Sequence, residues 1–163
     1  MVFFQYQLSF LHSKRYLLVL IGGWYIMSLN FYLFFNGNCR EAVAYYADVF
    51  NAGKPEIMTY GQSPVDEEQQ LPPEAKDLVM HAHLVISGSS VMFSDVVPGM
   101  PYTQGNNFSI TVVTKDADEI HHAFTKLSEE GKVTMELQKT FWSPCYGMLT
   151  DKFGIDWQFS LLA

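Results

Sequence analysis

The sequence predicts an α+β fold built from two βαβββ modules, because three features recur along it. Strand-like segments NFYLFF and NFSITVV begin at residues 30 and 107, an offset of 107 − 30 = 77 residues. The apolar faces of the helical segments that follow repeat at the same offset (120 − 43 = 77 and 127 − 50 = 77). Gly53 and Gly131 then end the two helical patterns. A strand, a helix and a stop that repeat together predict two copies of one structural unit.

Module one, residues 30–97, begins with the strand NFYLFF and continues with the helix NCREAVAYYADVF. Asn38 is the predicted N-cap of this helix, with Glu41 three positions later as in a capping box. Three strands follow, PEIMTYG, DLVMHAHLVISG and SVMFSDVV, and the last two form a hairpin. The polar, proline-bearing segment QSPVDEEQQLPPEAKD predicts a long exposed loop between the first two. The apolar face of the helix consists of Val43, Tyr46, Ala47 and Phe50.

Module two, residues 107–163, follows a linker at 98–106 and repeats this order. Asp116 or Asp118 is the predicted N-cap of its helix. The segments KVTMELQKTFW, YGMLTDKFG and IDWQFSLL are the three strands that complete the module. DKFG is predicted to be a hairpin turn in which Gly154 supplies the permissive backbone. The apolar face of the helix consists of Ile120, Ala123, Phe124 and Leu127.

Residues 1–29 differ in style from the repeat and are predicted to be an N-terminal extension of the domain at 30–163. Their apolar stretch is interrupted by two glycines and is too short to span a bilayer, which takes about 20 apolar residues. Gly-Gly, three residues and then Met27 is what a ribosome-binding site and its spacer would encode if translated in frame. This pattern indicates that Met27 is the natural start and that residues 1–26 are upstream read-through. A disordered segment and a membrane-associating extension are the alternatives.

Charge and cysteine content exclude several classes of protein. The formal net charge is −7 and the Lys and Arg residues are scattered singly, whereas nucleic-acid binding needs clustered cations. Nucleic-acid partners are therefore not expected. A membrane partner is not expected either, because the apolar stretch of the extension is too short to span a bilayer. The two cysteines, Cys39 and Cys145, form no disulfide framework and predict a reducing, cytoplasmic location. The helix dipole could lower the pKa of Cys39, and an inert, half-buried thiol is the alternative.

Three segments carry a resemblance to a known family: YLFFNGNCREAVAYYADVFNAG, VMHAHLVISGSSVMFSD and GKVTMELQKTFWSPCYGMLTDKFGIDWQFS. Together they resemble the PhnB-like branch of the vicinal oxygen chelate superfamily, which also contains glyoxalases, bleomycin-resistance proteins, dioxygenases and fosfomycin-resistance proteins. The resemblance covers about residues 30–162. It implies two cup-shaped, mostly antiparallel sheets with the helices outside and a ligand pocket between the concave faces. Some members are labelled demethylubiquinone methyltransferases, but the sequence has no glycine-rich nucleotide fingerprint, so methyl transfer is not expected.

The resemblance also implies where a metal would be held in this fold, namely on the first and last strand of each module. Phe31 occupies the first such position and cannot coordinate a metal. The last strand of module one offers Phe93 or Asp95, and the last strand of module two offers Gln158. The first strand of module two offers Phe108 or Ser109. Because metal sites of this kind use converging His and carboxylate ligands, a divalent metal is not favoured and the cofactor stays open.

The strand VMHAHLVI places two histidines on one face, because side chains alternate with a period of two. The opposite face, which includes Leu84 and Ile86, suits the helix layer, so His81 and His83 are expected to face into the cup. His81 is the candidate catalytic residue, as a proton carrier or ligand hydrogen-bonding group. His83 is a ligand-binding candidate. If a metal binds, His81, His83 and Asp95 are its expected ligands, and an exposed or simply hydrogen-bonded role is the alternative for either histidine.

Aromatic residues in the most family-like segment complete the predicted pocket. Trp142 and Tyr146 are expected to bind the ligand together with Phe31, Phe93, Asp95 and Gln158. Trp157 is expected to point to the helix side. The predicted function is to act on, or only bind, an unknown small molecule in the cup. An antibiotic-sequestering protein without catalysis is the alternative.

A homodimer is expected because two open sheets leave edge strands exposed.

Overall fold

The computed structural model describes residues 30–63 and 71–163, so the predictions for the extension lie outside the described residues. Short 3-10 helices at Tyr60–Gln62 and Pro73–Ala75 lie between the second and third strands. The order strand, helix, strand, strand, strand occurs twice, and the predicted α+β fold of two βαβββ modules is confirmed. The elements are β1 (Phe31–Phe35), α1 (Cys39–Val49), β2 (Glu56–Thr59), β3 (Val79–Ile86), β4 (Ser89–Asp95), β5 (Ile110–Thr114), α2 (Ala117–Ser128), β6 (Lys132–Gln138), β7 (Tyr146–Thr150) and β8 (Asp156–Leu161).

Each module forms one four-stranded mixed sheet, with strand order β1-β4-β3-β2 in module one and β5-β8-β7-β6 in module two. The first and last strands of each module pair in parallel, and the remaining pairs are antiparallel. The helix after the first strand carries the chain back along the sheet, which a parallel pair requires. Both sheets therefore have the same topology, as the sequence repeat predicts.

One face of each sheet is buried against the helices. In β3, Ala82, Leu84 and Ile86 are buried, while the alternate positions His81 and His83 are half-buried. Both helices turn their predicted apolar faces towards the sheets. In α1, Ala42 and Val49 are also buried, whereas the predicted Ala47 and Phe50 are only half-buried. The opposite faces of the sheets are the concave faces, on which the candidate site lies.

The N-terminus of α1 differs from the prediction. Asn38 occupies the N-cap position but makes no side-chain cap hydrogen bond. Instead, the Asp95 carboxylate at the end of β4 accepts hydrogen bonds from the backbone N–H groups of Gly37 and Cys39, at 2.9 and 3.0 Å. Asp116 does cap α2, as predicted, by accepting from Asp118 and Glu119.

The two modules share a core at the helix layer. Tyr46 of α1 donates to the Asp151 carboxylate at 2.6 Å, and its ring lies 5.5 Å from that of Trp157, both in module two. Tyr45 donates to the backbone carbonyl of Lys126 in α2 at 2.7 Å. These contacts place both helices on the same side of the two sheets, which is the arrangement expected from the resemblance.

The turn between β7 and β8 is as predicted, with Gly154 at a φ of 77° that favours glycine. Gln104 of the linker donates to the carbonyl of Phe153 in the same turn at 2.8 Å, which ties the linker to module two. In the part of the chain that the structure describes, no helix has the length and hydropathy needed to cross a membrane.

Candidate functional site

Module one contributes a concave face that carries both histidines. Strand register places Tyr32 beside Met92 and Met92 beside His83, so these side chains lie in one row across β1, β4 and β3. His81 lies on the same face, two residues from His83. Because the helices cover the other side of the sheet, this orientation agrees with the strand parity read from the sequence.

Tyr32 and His81 form a hydrogen-bonded pair on this face. The Tyr32 hydroxyl lies 3.2 Å from Nδ1 of His81, and the two ring centroids are 6.0 Å apart. Burial raises the pKa of Tyr32 to about 12, so the phenol keeps its proton at neutral pH. Burial, together with repulsion from His83, lowers the pKa of His81 from its ordinary value. The pair is therefore uncharged at neutral pH, and when Tyr32 donates to Nδ1, the proton of the imidazole is carried by Nε2.

His83 has a partner of its own. Its Nε2 atom lies 2.9 Å from Oγ of Ser90 on the neighbouring strand. Glu56 lies opposite His83 in the β2–β3 register. His83 is thus a hydrogen-bonded residue of the concave face, beside the Tyr32–His81 pair.

Two residues assigned to the site from the family resemblance, Phe93 and Phe31, pack against the core on the helix-facing side instead. Phe93 is 0% exposed and stacks near Phe35 and Tyr46 in the core, so it does not line the pocket. Phe31 is half-buried against the same core and meets the Phe108 ring of module two at 5.9 Å. Phe31 is therefore a residue of the module junction.

Asp95 is buried and already committed to the backbone. Besides the two N–H groups before and at the start of α1, it accepts from the N–H of Val79 at 2.9 Å. The carboxylate lies on the side of the sheet opposite to His81 and His83, so the three predicted metal ligands do not converge. Within residues 30–63 and 71–163, no three His, Cys, Asp or Glu side chains lie together as a metal site would require. The residues present do not fit the metal that the fold implies.

Module two contributes a row of hydrogen-bonded polar side chains to its concave face. Tyr146 donates to Oε1 of Gln158 at 2.6 Å, and Nε2 of Gln158 donates to Oγ of Ser109 at 2.6 Å. Since Ser109 accepts from Gln158, its own O–H proton is left to donate elsewhere. The ring of Trp142, which is 54% exposed, lies edge-on to Tyr146 at 5.3 Å.

A cleft of about 440 Å³ opens beside this row and is named here the module-two cleft. Its volume falls in the range of small-molecule sites. A second cleft of about 340 Å³ lies between β1 and the linker and shares Asn107 and Phe108 with the first. The module-two cleft is lined by Asn106, Asn107, Phe108, Ser109, Thr134, Met148, Leu149, Asp156, Trp157 and Gln158.

The sequence suggests Gln158 and Ser109 as site residues, but not Asp156, Thr134, Asn106 or Asn107. Asp156 lies two positions before Gln158 on β8, so strand alternation alone would have placed both carboxylate and amide on one face. The approach of the linker to that face could not be read from alternation, because it depends on how the two modules pack.

Cys39 is not placed or activated as a nucleophile. Cys39 is fully buried, and burial together with the neighbouring Asp95 raises the pKa of its thiol, which overrides any effect of the helix dipole. The predicted inert thiol is therefore the better description, although Cys39 is fully rather than half-buried. Cys145 is half-buried.

A family model described as 3-demethylubiquinone-9 3-methyltransferase matches residues 28–160. The chain belongs to this PhnB-like family. Protein YjdN of Escherichia coli (strain K12) is 31% identical over 145 residues, which cover 83% of this chain and 96% of YjdN.

Solved structures agree with this assignment. Protein PA1353 from Pseudomonas aeruginosa has a TM-score of 0.71 and 38% identity, with 82% of this chain and 98% of that chain covered. The putative PhnB protein from Bacillus cereus has a TM-score of 0.65 and 27% identity, with 83% and 100% covered. A mutant of the fosfomycin resistance protein FosX from Listeria monocytogenes, complexed with Mn(II) and a dihydroxypropylphosphonic acid, has a TM-score of 0.55 and 11% identity, with 85% and 95% covered. At that identity, FosX shows only that the vicinal oxygen chelate fold is shared.

Proposed function

We propose that this protein binds a small organic molecule in the module-two cleft without a glyoxalase-type metal centre. The observation that carries the proposal is the row Tyr146–Gln158–Ser109, whose two hydrogen bonds are both 2.6 Å long, along a cleft of about 440 Å³. Such a row holds the Gln158 amide in one orientation and leaves a Ser109 proton for a ligand. Phe108 and Met148 supply apolar surface in the same cleft.

The residues that line the module-two cleft favour binding without catalysis over an enzymatic reaction. Its cleft holds amides, hydroxyls and one carboxylate, and it lacks the acid–base pair that most hydrolytic or isomerising sites contain. Methyl transfer is not part of the proposed function, because the sequence has no glycine-rich nucleotide fingerprint. A cytoplasmic location and a homodimer stay predictions.

Acid–base chemistry at Tyr32–His81 is the second candidate, because this pair is uncharged at neutral pH and lies on the concave face. A neutral imidazole can accept a proton from a ligand, and Tyr32 can orient it. This function would use module one, whereas binding in the cleft uses module two, so variants in one module separate the two candidates.

Benzamide is a suitable first probe, since it is neutral, planar and small enough for the cleft. We expect saturation-transfer NMR to detect binding, and amide shift changes to cluster at Gln158, Ser109 and Asn107. A Ser109→Trp variant should fill the cleft and abolish the signal. Val85→Trp, at an exposed position of the module-one face, is the matched control and should leave binding intact. Binding that survives Ser109→Trp in a folded variant would overturn the proposal.

A further inference from the structure

The ionisable lining of the module-two cleft is negative. Asp156 contributes a carboxylate, while the other polar lining groups are neutral amides and hydroxyls. None of the residues that line the cleft is a Lys, Arg or His. An anionic ligand would therefore lose its hydration without gaining a cation, and it would meet a carboxylate of the same sign.

Asp156 has capacity for a ligand. It is half-buried, and its Oδ1 atom accepts from the Thr150 hydroxyl at 2.6 Å. A carboxylate has about four acceptor positions, so this bond orients the group and occupies one of them. A donor that reaches Asp156 from the cleft would make a charge-assisted hydrogen bond, which is stronger than a neutral one.

Lys132, a cation on the same sheet, does not add a positive charge to the cleft. Lys132 lies opposite Thr150, which in turn lies opposite Asp156. Two strand spacings separate the Lys132 and Asp156 backbones, about 10 Å in all. Lys132 is exposed and does not line the cleft, so solvent and salt screen its charge there. It also provides a control of opposite sign on the same row.

The apolar side of the cleft suits the organic part of a cation. Phe108 is 50% exposed and presents a ring to the cleft, where it could contact an ammonium group or an attached apolar group. Met148 adds a flexible apolar contact. The net charge of −7 would favour the approach of a cation from solution.

We infer that the module-two cleft selects a protonated organic amine that carries an aromatic or aliphatic group, with Asp156 as the counter-ion. This inference rests on the proposed function, because it names the ligand class of the same cleft. It predicts discrimination against carboxylates and phosphonates of similar size.

Three probes of matched size test the inference: benzylammonium, benzamide and benzoate. NMR titrations of the full chain should give an affinity for benzylammonium about tenfold above that for benzoate, with benzamide between them. Added salt should weaken benzylammonium binding and leave benzamide unchanged. Asp156→Asn, which keeps the oxygen that Thr150 needs, should remove the advantage of benzylammonium over benzamide.

Lys132→Gln is the matched control and should keep benzylammonium as the tightest of the three probes. If benzoate binds as tightly as benzylammonium, or if Asp156→Asn leaves the ratio of the two affinities unchanged, the inference is wrong while binding in the cleft stands. If none of the three probes binds in the cleft, the proposed function itself fails and the inference falls with it.

Discussion

The two helices occupy equivalent positions in the repeat, but their N-termini are stabilised in different ways. Helix α2 is capped by Asp116, the residue directly before it, which accepts from the N–H groups of Asp118 and Glu119. Helix α1 is capped by Asp95, which lies 56 residues from Cys39 along the chain. The start of α2 can therefore form locally, whereas the start of α1 is completed only when β4 has joined the sheet.

The buried carboxylates of the two modules show the same contrast. The Asp95 carboxylate accepts from the backbone N–H groups of Gly37, Cys39 and Val79, all in its own module. Asp151 accepts from two N–H groups of its own turn and from the Trp157 indole, but also from the Tyr46 hydroxyl of module one. Asp95 thus stabilises module one alone, whereas Asp151 also links module two to module one.

Loss of Asp95 should have the largest effect. Asp95→Ala leaves the buried N–H groups of Cys39 and Val79 without their acceptor, and we expect unfolding free energy to fall by about 3–5 kcal/mol. Chemical denaturation monitored by circular dichroism measures this. Asp95→Asn, which keeps one acceptor oxygen, is the control and should lose less. Equal losses for the two variants would contradict the cap described above.

Asp151→Asn should cost about 2–3 kcal/mol, because an amide nitrogen in place of Oδ2 faces two donors, Tyr46 and Trp157. The control is Tyr46→Phe, which removes only the inter-module bond and should cost about 1–2 kcal/mol. Thermal unfolding of both variants gives the comparison. A loss for Tyr46→Phe as large as that for Asp151→Asn would mean that the junction, rather than the turn, depends on this carboxylate.

Asp116→Ala should lower stability by about 1 kcal/mol, the usual cost of removing a local N-cap. Asp116→Asn should recover most of it, because an asparagine side chain also caps helices. Denaturation midpoints at constant slope measure both. No change on Asp116→Ala would show that α2 does not need its local cap.

Asn38→Ala should change stability by less than about 0.5 kcal/mol, since the Asn38 side chain makes no cap hydrogen bond and the residue is exposed. The same denaturation experiment applies. A loss of stability as large as that of Asp116→Ala would show that Asn38 caps α1 as the sequence predicts, and that the two helices do not differ in how they are capped.

The concave face of module one should respond to pH through His81, and this effect should be the smallest. The lowered pKa of His81 means that its stabilising contribution is complete above the ordinary value of 6.5 and is lost as the pH falls. His83→Gln removes the repulsion between the two rings, so the pKa of His81 should rise. NMR titration of the imidazole signals checks this, with His121→Gln on α2 as the control. An unchanged His81 pKa in the His83→Gln variant would show that burial alone lowers it.

Local patterns in the sequence determined the elements of this fold and the direction of their faces. Alternation placed His81 and His83 opposite to Leu84 and Ile86, and the helical period identified the buried face of α2, because both depend only on backbone geometry over a few residues. The Asp116 cap was likewise predictable, since its partners are two and three residues away.

Only the tertiary structure decided which polar groups meet. Asp95 could be assigned to the pocket from the sequence, but pairing of β4 with β1 directs it to the start of α1 and away from the histidines. The Tyr46–Asp151 bond joins residues 105 positions apart. The module-two cleft forms where the linker passes β8. Bonds over such separations depend on the packing of whole sheets, because a carboxylate or an amide accepts any donor that the assembled fold brings within about 3 Å.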